Sequence, residues 1–254
     1  MNVLNEIPPQ LSRLKNPPKK LYYKGNLELL KLPMISIVGS RKASVYTKNC
    51  VLNLAKTLSN AGVCVVSGAA LGVDIKAHEG AMPNTVAVFG NGLDIVYPRA
   101  NLKSIEEIYR SSLALSEYEP TVQAAAHRFL ERNRIVVALS KALVVAQADL
   151  KSGSMQSARM AQEIGVKIYV LPQRLGESNG TNELLACGKA ELIDDFEKFA
   201  AKFGNPAHKV KDEILEFCKN GADLNEALAK FGDKIYEYEL LGKLVISNLR
   251  VGLA

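Results

Sequence analysis

The residues best suited to chemistry come directly after the first long apolar run of the chain. Met34–Val38 is apolar except for one serine, and a helical pattern begins a few residues later. Between them lie small and basic residues: Gly39, Ser40, Arg41, Lys42 and Ser44. In a parallel sheet this place is the carboxyl end of a strand, where ligands usually bind. A helix N-terminus there offers backbone N–H groups to an anion, so the loop predicts a phosphate site.

A second helix start has the same character. The run Lys151-Ser152-Gly153-Ser154 follows another apolar run, Ala142–Ala146, and opens a helical pattern. A cation at a helix N-terminus opposes the helix dipole unless an anion is bound there. Together with Arg41, this second site favours a ligand that carries several phosphates.

A third segment, Ser67–His78, follows the second predicted strand and is rich in small residues. Glycines such as Gly68 let the backbone approach a ligand closely, although they also fit simple tight turns. Asp74 is predicted to cap the helix that follows. His78 is typical of a packed histidine, because no carboxylate pairs with it by sequence.

The fourth segment lies before the fifth predicted strand and reads Phe129-Leu130-Glu131-Arg132-Asn133-Arg134. Arg132 and Arg134 fit a solvated helix face as well as a binding surface. Phe129 by itself fits a core position. The residues alone leave these alternatives open.

Several enzyme motifs are missing from the chain. The sequence has no G-x-G-x-x-G, no G-x-x-x-x-G-K-[ST] and no G-x-S-x-G. Dinucleotide binding and P-loop hydrolysis are therefore disfavoured. No convincing acid–base pair falls near the predicted strand ends, which argues against an enzyme. A small-nucleotide enzyme and a binder of a phosphate polymer both stay open at this point.

Composition sets wide limits. The 254 residues allow one large domain plus a small one, and 48% hydrophobic with 23% charged residues is ordinary for a soluble protein. The net charge of +6 permits a nucleic-acid partner without establishing one. The four cysteines are scattered, without zinc-site spacing, so neither a metal nor another cofactor is expected. Since no apolar run has membrane-spanning length and no signal peptide is evident, we expect a cytoplasmic protein without membrane contact.

Alternating strand and helix patterns predict a doubly wound, mostly parallel sheet. The predicted strands are Ile35–Val38, Val63–Ser67, Thr85–Phe89, Leu113–Glu117, Ala142–Ala146, Lys167–Leu171 and Glu191–Ile193. The predicted helices are Thr47–Asn60, Ile75–Ala81, Leu102–Ser111, Glu131–Leu139 and Met155–Ile164. Gly62 and Gly165 mark helix ends.

Three regions are predicted around this sheet. Residues 1–30, which contain four prolines, form an arm that packs on the core domain of residues 31–204. Residues 209–254 form a small winged-helix-like module. Its predicted elements are the helices Val210–Lys219, Asp223–Phe231 and Lys234–Leu241 and the strands Lys243–Asn248 and Arg250–Leu253, with Asp223 and Asp233 as caps. The third helix is acidic, which favours protein contact over DNA reading.

Taken in order, these segments resemble the DNA-processing protein A family (DprA/Smf). The strings that carry the resemblance are IVGSRKAS, VVSGAALGVDIKAHEGA, TVAVFGNGLDIVYPRAN, LSEYEP, FLERNRIVVALS, LVVAQADLKSGSMQSARMA and GTNELLACGKAELI. They run from about Pro9 to Ile193, including the arm near Pro17. The resemblance implies an extended Rossmann-like domain that dimerises, binds single-stranded DNA and delivers it to RecA during natural transformation.

The resemblance also implies roles for particular residues. The family's phosphate-contacting arginine corresponds to Arg41, its basic residue before the serine–glycine helix start corresponds to Lys151, and its stacking aromatic corresponds to Phe129. Many members carry a basic residue shortly before that aromatic, where this chain has Ala124-Ala125-Ala126-His127-Arg128. Arg128 or His127 could replace it, and Leu130 stands where a proline is usual.

The sequence therefore predicts a non-enzymatic mediator that binds single-stranded DNA. The predicted DNA-binding residues are Gly39, Ser40, Arg41, Lys42, Ser44, Gly68, Arg128, Phe129, Arg132, Asn133, Arg134, Lys151, Ser152, Gly153 and Ser154. The main alternative is a nucleotide-phosphate hydrolase on a related Rossmann-like fold, for which the loop Gly180-Thr181-Asn182-Glu183 lacks the expected double glycine. Another is a duplex-DNA regulator that works through the C-terminal module.

Overall fold

A long twisted sheet organises the first part of the chain in this computed structural model, which describes residues 2–205 and 212–253. Within residues 2–205 the sheet has nine strands in the order β1-β2-β6-β5-β4-β3-β7-β8-β9. They are β1 (Asn2–Val3), β2 (Tyr22–Gly25), β3 (Met34–Val38), β4 (Cys64–Ser67), β5 (Thr85–Phe89), β6 (Leu113–Ser116), β7 (Ala142–Val145), β8 (Lys167–Val170) and β9 (Glu191–Leu192). From β6 to β9 all neighbours pair in parallel. The predicted mostly parallel sheet is confirmed.

Helices cover both faces of this sheet. They are α1 (Val45–Asn60), α2 (Val73–Ala81), α3 (Leu102–Ser111), α4 (Ala126–Leu139), α5 (Gly153–Glu163), α6 (Asn179–Ala186) and α7 (Phe196–Ala201), with 3-10 turns at Pro9–Arg13, Leu27–Lys31 and Arg99–Asn101. Helix α4 begins five residues before its predicted start, because its first turn is polar and lacks apolar periodicity. Helices α6 and α7 were not predicted. Gly62 and Gly165 follow α1 and α5 with φ of +75° and +71°, which confirms both predicted helix ends.

The central strand β3 shows why the sheet is doubly wound. Ile35 and Ile37 face one layer, where they join a core with Leu54 of α1. Met34 and Val38 face the opposite layer and join a core with Val136 of α4. Alternate side chains of a strand point to opposite faces, so a strand covered on both sides needs a continuous apolar run.

A buried hydroxyl fastens α4 to this strand. Ser36 donates to the carbonyl of Val136 at 2.6 Å, and its Oγ also lies 2.6 Å from Ser140 Oγ. Both hydrogen bonds are buried, where a polar group without a partner would be costly. They position the helix that carries residues 129–134.

The N-terminal arm extends the sheet. Leu11 and Leu21 are fully buried, and β2 pairs antiparallel with β6, with Tyr23 opposite Leu115. Strand β1 then pairs antiparallel with β2. The prolines of this region hid both short strands from the sequence pattern.

A second unit, His208–Ala254, is separate from the first, Met1–Ala207. Its elements are α8 (Glu213–Cys218), β10 (Ala222–Asp223), α9 (Leu224–Phe231), α10 (Lys234–Leu240), β11 (Leu244–Ser247) and β12 (Arg250–Leu253). The strands form an antiparallel sheet in the order β10-β12-β11, which gives the expected winged-helix-like arrangement. The predicted helix start at Val210 lies outside the described residues. Within residues 2–205 and 212–253, no helix is long and apolar enough to span a bilayer.

The helix caps of the second unit differ from one another. The Asp223 carboxylate accepts from the N–H groups of Asn225 and Glu226 at 2.8 and 3.2 Å, which confirms the predicted cap. Asp233 stands at the corresponding place before α10 but accepts no capping hydrogen bond. Its backbone is helical (φ −62°, ψ −11°), whereas a capping residue is usually extended, so the prediction for Asp233 was wrong.

Candidate nucleic-acid interface

A cleft of about 700 Å³ lies at the carboxyl ends of β3 and β7. The predicted site residues that line it are Gly39, Ser40, Arg41, Lys42, Phe129, Arg132, Asn133, Ser152, Gly153 and Ser154. Tyr97, Asp74 and Asp149 also line it, although the sequence did not mark them as binding residues. The structure therefore joins the two predicted phosphate loops and the Phe129 segment in one concave surface.

The first loop is held tightly by its backbone. The Ser40 N–H donates to the Gln147 carbonyl at 2.8 Å, and Ser40 Oγ accepts from the Lys42 N–H at 3.1 Å. A Cβ on Gly39 would lie 2.6 Å from Val73 Cγ2, so a side chain does not fit there. Arg41 and Lys42 are exposed, and neither forms an ion pair with a described residue. Two cations are thus free to meet an anion.

The two helix starts are capped by the protein's own serines. Ser44 Oγ accepts from the Thr47 N–H at 3.1 Å, while the Ser44 N–H donates to Gln147 Oε1 at 3.0 Å. Ser152 Oγ accepts from the Met155 N–H at 3.3 Å. Ser44 is not among the residues that line the cleft, so its expected contact with a ligand becomes a capping role.

Arg132 forms the floor of the cleft. The residue is only 4% exposed, and its guanidinium donates to the Val88 carbonyl and, at 2.6 Å, to the Gly68 carbonyl. A Cβ on Gly68 would lie 2.3 Å from that guanidinium. Gly68 therefore makes room for Arg132 and does not line the cleft. Burial lowers the pKa of Arg132 to about 10, and Asp74 opposes this shift, so the side chain stays charged at neutral pH. The predicted phosphate-gripping role of Arg132 changes to fastening the ends of β4 and β5.

Asp74 supplies the opposite charge. It is the second residue of α2, whereas Gly72, with φ of +80°, occupies the capping position. The predicted cap was therefore wrong. Asp74 is 8% exposed, and burial raises the pKa of its carboxyl, which the nearby Arg132 guanidinium partly offsets. Asp74 is thus the buried counter-charge of Arg132.

His78 lies deeper in the same network. It is fully buried, and its Nδ1 is 2.7 Å from Thr85 Oγ1. The Thr85 hydroxyl itself donates to the Val65 carbonyl, so His78 Nδ1 carries the proton and donates. Burial, assisted by the charge of Arg132, lowers the pKa of His78 to about 3. The expected packed histidine is confirmed.

Two aromatic rings form one wall of the cleft. Phe129, in the first turn of α4, stacks on Tyr97 with ring centroids 5.5 Å apart and planes inclined by 16°. The guanidinium carbon of Arg41 lies 5.6 Å from the centre of the Phe129 ring. The sequence did not single out Tyr97, because a tyrosine in a loop has no periodicity that marks it.

Three predicted cations do not line the cleft. Arg134 forms an ion pair with Glu117 at 2.5 Å, and Arg128 donates to the Gln123 carbonyl and lies against the Tyr118 ring. Lys151 is exposed and lines a neighbouring depression together with Arg159. Of the two arginines expected at the groove, Arg132 lines the cleft, whereas the Arg134 side chain pairs with Glu117.

An exposed arginine loop and an aromatic pair, placed where strands end in a Rossmann-like sheet, define a protein that binds nucleotides or nucleic acid. The chain belongs to the family of DNA recombination-mediator protein A, whose model matches residues 3–204. This confirms the resemblance seen in the sequence and the predicted class, a DNA recombination mediator.

Relatives from several bacteria support this assignment. The DNA processing protein DprA of Streptococcus pneumoniae is 38% identical over 201 residues, 77% of this chain and 71% of that protein. Protein Smf of Escherichia coli is 32% identical over 248 residues, 93% of this chain and 66% of that protein. For the putative DprA of Mycobacterium tuberculosis H37Rv the identity is 37% over 180 residues, only 46% of that protein. The chain thus spans about half to two thirds of some relatives.

Two solved structures of DprA proteins are also similar to this chain. DNA processing protein A of Helicobacter pylori is 46% identical with a TM-score of 0.78, and the match covers 79% of this chain and 94% of that one. That structure is described in terms of its single-stranded DNA binding mode. The DprA structure from S. pneumoniae has a TM-score of 0.73 at 38% identity, covering 78% of this chain and 71% of that one.

Proposed function

We propose that this chain binds single-stranded DNA along the cleft and passes the strand to RecA during natural transformation, without catalysing a reaction on it. The observation that carries the proposal is the unpaired, exposed Arg41 beside the Phe129–Tyr97 stack. A cation next to exposed aromatic rings is the usual arrangement for holding a backbone phosphate and an unpaired base together.

Phosphate contacts come from the exposed loop in this proposal. Arg41 and Lys42 grip the backbone at the cleft, and Lys151 with Arg159 extends the basic surface beyond α5. Arg132 adds little, because Asp74 offsets its charge in the floor. Binding is salt-sensitive, with a log–log slope of about 0.7 for each phosphate neutralised.

Base contacts give affinity without sequence preference. Every base has a flat face, so stacking on the Phe129 wall tolerates any sequence. Asn133, half-buried at the cleft, is available for a polar contact with the strand. The H. pylori relative, whose structure concerns single-stranded DNA, supports this choice of ligand.

Asp74 and His78 are two groups with shifted pKa values that could act as an acid and a base. Asp74 is buried near Arg132, and His78 is buried and neutral, with its Nδ1–H donated to Thr85 Oγ1. His78 does not line the cleft, and Asp74, which does, is only 8% exposed and lies near the charge of Arg132, so neither is a freely accessible acid or base. The rival hydrolase needs such a group, so this arrangement favours the mediator.

The partners follow from the family. We propose a homodimer in the cytoplasm, since two clefts on one strand raise the effective affinity. The C-terminal module contacts protein in this proposal, because α10 carries Glu237 and Glu239 where a DNA-reading helix needs basic or amide side chains.

One titration tests the DNA-binding proposal. Labelled oligo-dT, the matching duplex and AMP are titrated against the wild type, Arg41→Glu and the control Arg110→Glu. Arg110 has a 78% exposed side chain on α3 and is not among the cleft residues. We expect tight binding of the single strand, weak duplex binding and at least a tenfold loss in Arg41→Glu alone. Preference for the duplex, or hydrolysis of AMP, would refute the mediator.

The partner proposals need separate measurements. Sedimentation equilibrium of the wild type gives the oligomeric state, and a monomer at micromolar concentration would refute the homodimer. RecA filament formation on oligo-dT is then followed with the wild type and with Arg41→Glu. Stimulation by the wild type alone supports delivery to RecA, whereas equal rates with and without the wild type contradict it.

A further inference from the structure

Asp94 joins two loops beside the cleft. One loop, residues 90–98, follows β5 and contains Asp94. The other, residues 117–125, connects β6 to α4 and ends in Ala124 and Ala125, both of which line the cleft. All residues of this second loop are at least partly exposed, so polar contacts must fix much of its position.

The Asp94 carboxylate holds a backbone group of the second loop. Both of its oxygens accept from the Thr121 N–H, at 2.9 and 3.1 Å. One residue further on, the Val122 carbonyl accepts from the Gly92 N–H at 2.9 Å. A Cβ on Gly92 would lie 2.5 Å from the Glu119 carbonyl oxygen, so the two loops are in close contact. The contact of Asp94 is made by a side chain, and a substitution can therefore remove it.

Thr121 has a backbone conformation that needs such support. Its φ is +70°, in the left-handed region that a β-branched residue rarely adopts. A residue strained in this way keeps its conformation only where neighbouring groups hold it. A hydrogen bond to a carboxylate is stronger than one to a neutral acceptor. Asp94 supplies this support, and without it the loop relaxes to other conformations.

The charge of Asp94 opposes the binding of DNA. The residue is exposed, and a carboxylate beside a DNA-binding cleft repels phosphates. Electrostatics alone therefore predicts that removing Asp94 tightens DNA binding. A role in positioning the loop predicts the opposite sign, so the two explanations are separable.

We propose that Asp94 is a positioning residue for DNA binding, because it holds loop 117–125 in the conformation that keeps Ala124 and Ala125 at the cleft wall. This inference rests on the proposed binding of single-stranded DNA. Small side chains at this wall leave room for the strand beside Arg41. Without Asp94 the open conformation is only part of the population, and the apparent affinity falls by that fraction.

Two substitutions separate the charge of Asp94 from its hydrogen bonds. Asp94→Asn and Asp94→Ala remove the same charge, but only the asparagine keeps a side-chain oxygen that can accept from Thr121. Asp94→Ala should weaken oligo-dT binding about five- to tenfold, since losing a charge-assisted hydrogen bond shifts a local equilibrium by at least that factor. Asp94→Asn should bind within about twofold of the wild type. The control Asp149→Ala removes an acid that lines the cleft and should tighten binding.

The rate constants show whether Asp94 acts on the free loop. A smaller competent population lowers the association rate constant of labelled oligo-dT and leaves the dissociation rate constant nearly unchanged. Stopped-flow mixing measures the first, and a chase with unlabelled strand measures the second. Thermal unfolding of each variant confirms that the fold is intact, which is expected because Asp94 and Thr121 are both exposed.

The outcomes are distinct from those that test DNA binding itself. If Arg41→Glu loses binding while Asp94→Ala binds like the wild type or more tightly, the positioning role is refuted and the proposed function stands. An equal loss in Asp94→Asn and Asp94→Ala, or a loss confined to the dissociation rate constant, also refutes the positioning role. Failure of the wild type to bind oligo-dT refutes the proposed function.

Discussion

The rim and the floor of the cleft each contain an arginine, which is exposed at the rim and buried in the floor. At the rim, formed by Arg41 and Lys42, the cations are exposed and no described acidic residue pairs with them. In the floor, formed by Arg132 and Asp74, the guanidinium is buried, hydrogen-bonded to two carbonyls and close to a carboxylate. An exposed cation stays hydrated, so it carries little desolvation cost, and it is available to a ligand. A buried one depends on the protein for its partners, and Arg132 has two carbonyls, although its buried Nε has no hydrogen-bond partner among the described residues.

Because of this difference, we expect Arg41 to act in ligand binding and Arg132 to act in the stability of the fold. Removing a rim cation takes away ligand attraction and leaves the fold intact. Removing the floor cation takes the opposite charge away from a buried carboxylate and one donor away from each of two carbonyls. We therefore expect Arg132 to govern stability and Arg41 to govern DNA binding.

The largest expected effect concerns the floor. Arg132→Met should lower the free energy of unfolding by about 3–5 kcal/mol, because Asp74 is left as an uncompensated buried charge. Urea denaturation at pH 7 measures the loss. The matched control Arg41→Met should stay within about 0.5 kcal/mol of the wild type while DNA binding falls.

A double variant covers the case in which Arg132→Met does not fold. Adding Asp74→Asn removes the stranded charge, so the pair should be more stable than Arg132→Met alone. If Asp74→Asn gives no recovery, the two charges are not coupled and the floor is held together in another way.

A pH effect of intermediate size also belongs to the floor. His78 is neutral in the folded protein, with a pKa lowered to about 3, whereas the unfolded chain takes up a proton below about pH 6.5. Its contribution to stability is present above pH 6.5 and declines as the pH falls towards 3. The loss is about 1.4 kcal/mol per pH unit, or roughly 2 kcal/mol between pH 6.5 and 5.

The pH effect is isolated by a difference measurement. The raised pKa of Asp74 acts with the opposite sign, since protonation of that carboxyl becomes favourable in the folded state as the pH falls. Urea denaturation of the wild type and His78→Gln at pH 7, 6 and 5 therefore gives the histidine contribution alone. Parallel pH dependence in the two proteins would show that His78 is not the titrating group.

The sequence predicted the parallel part of the sheet and the loop that forms the rim, but not β1, β2, α6 or α7. Continuous apolar runs predicted the strands β3 to β9, and the Gly39–Lys42 loop follows β3 as expected. Family resemblance singled out Arg41 and Phe129, both of which line the cleft. These signals are local, because each depends on residues adjacent in the chain.

The floor could not be predicted for a physical reason. Arg132 and Arg134 are two residues apart on one helix, yet one is buried against Gly68 and the other pairs with Glu117. Which of them turns inward depends on the placement of β4 and β5, far away in sequence. Tyr97 was missed likewise, since its significance comes from a ring 32 positions later.

The smallest expected effect returns to the rim. Asp149 is exposed, lines the cleft and opposes phosphate binding. Asp149→Asn should tighten oligo-dT binding about twofold at 0.1 M salt, since a solvated charge about 8–10 Å away contributes roughly 0.5 kcal/mol. The gain should vanish at 1 M salt because of screening. Glu163→Gln, at the far end of α5, is the control. An equal gain there would mean that net charge, not the rim, attracts the strand.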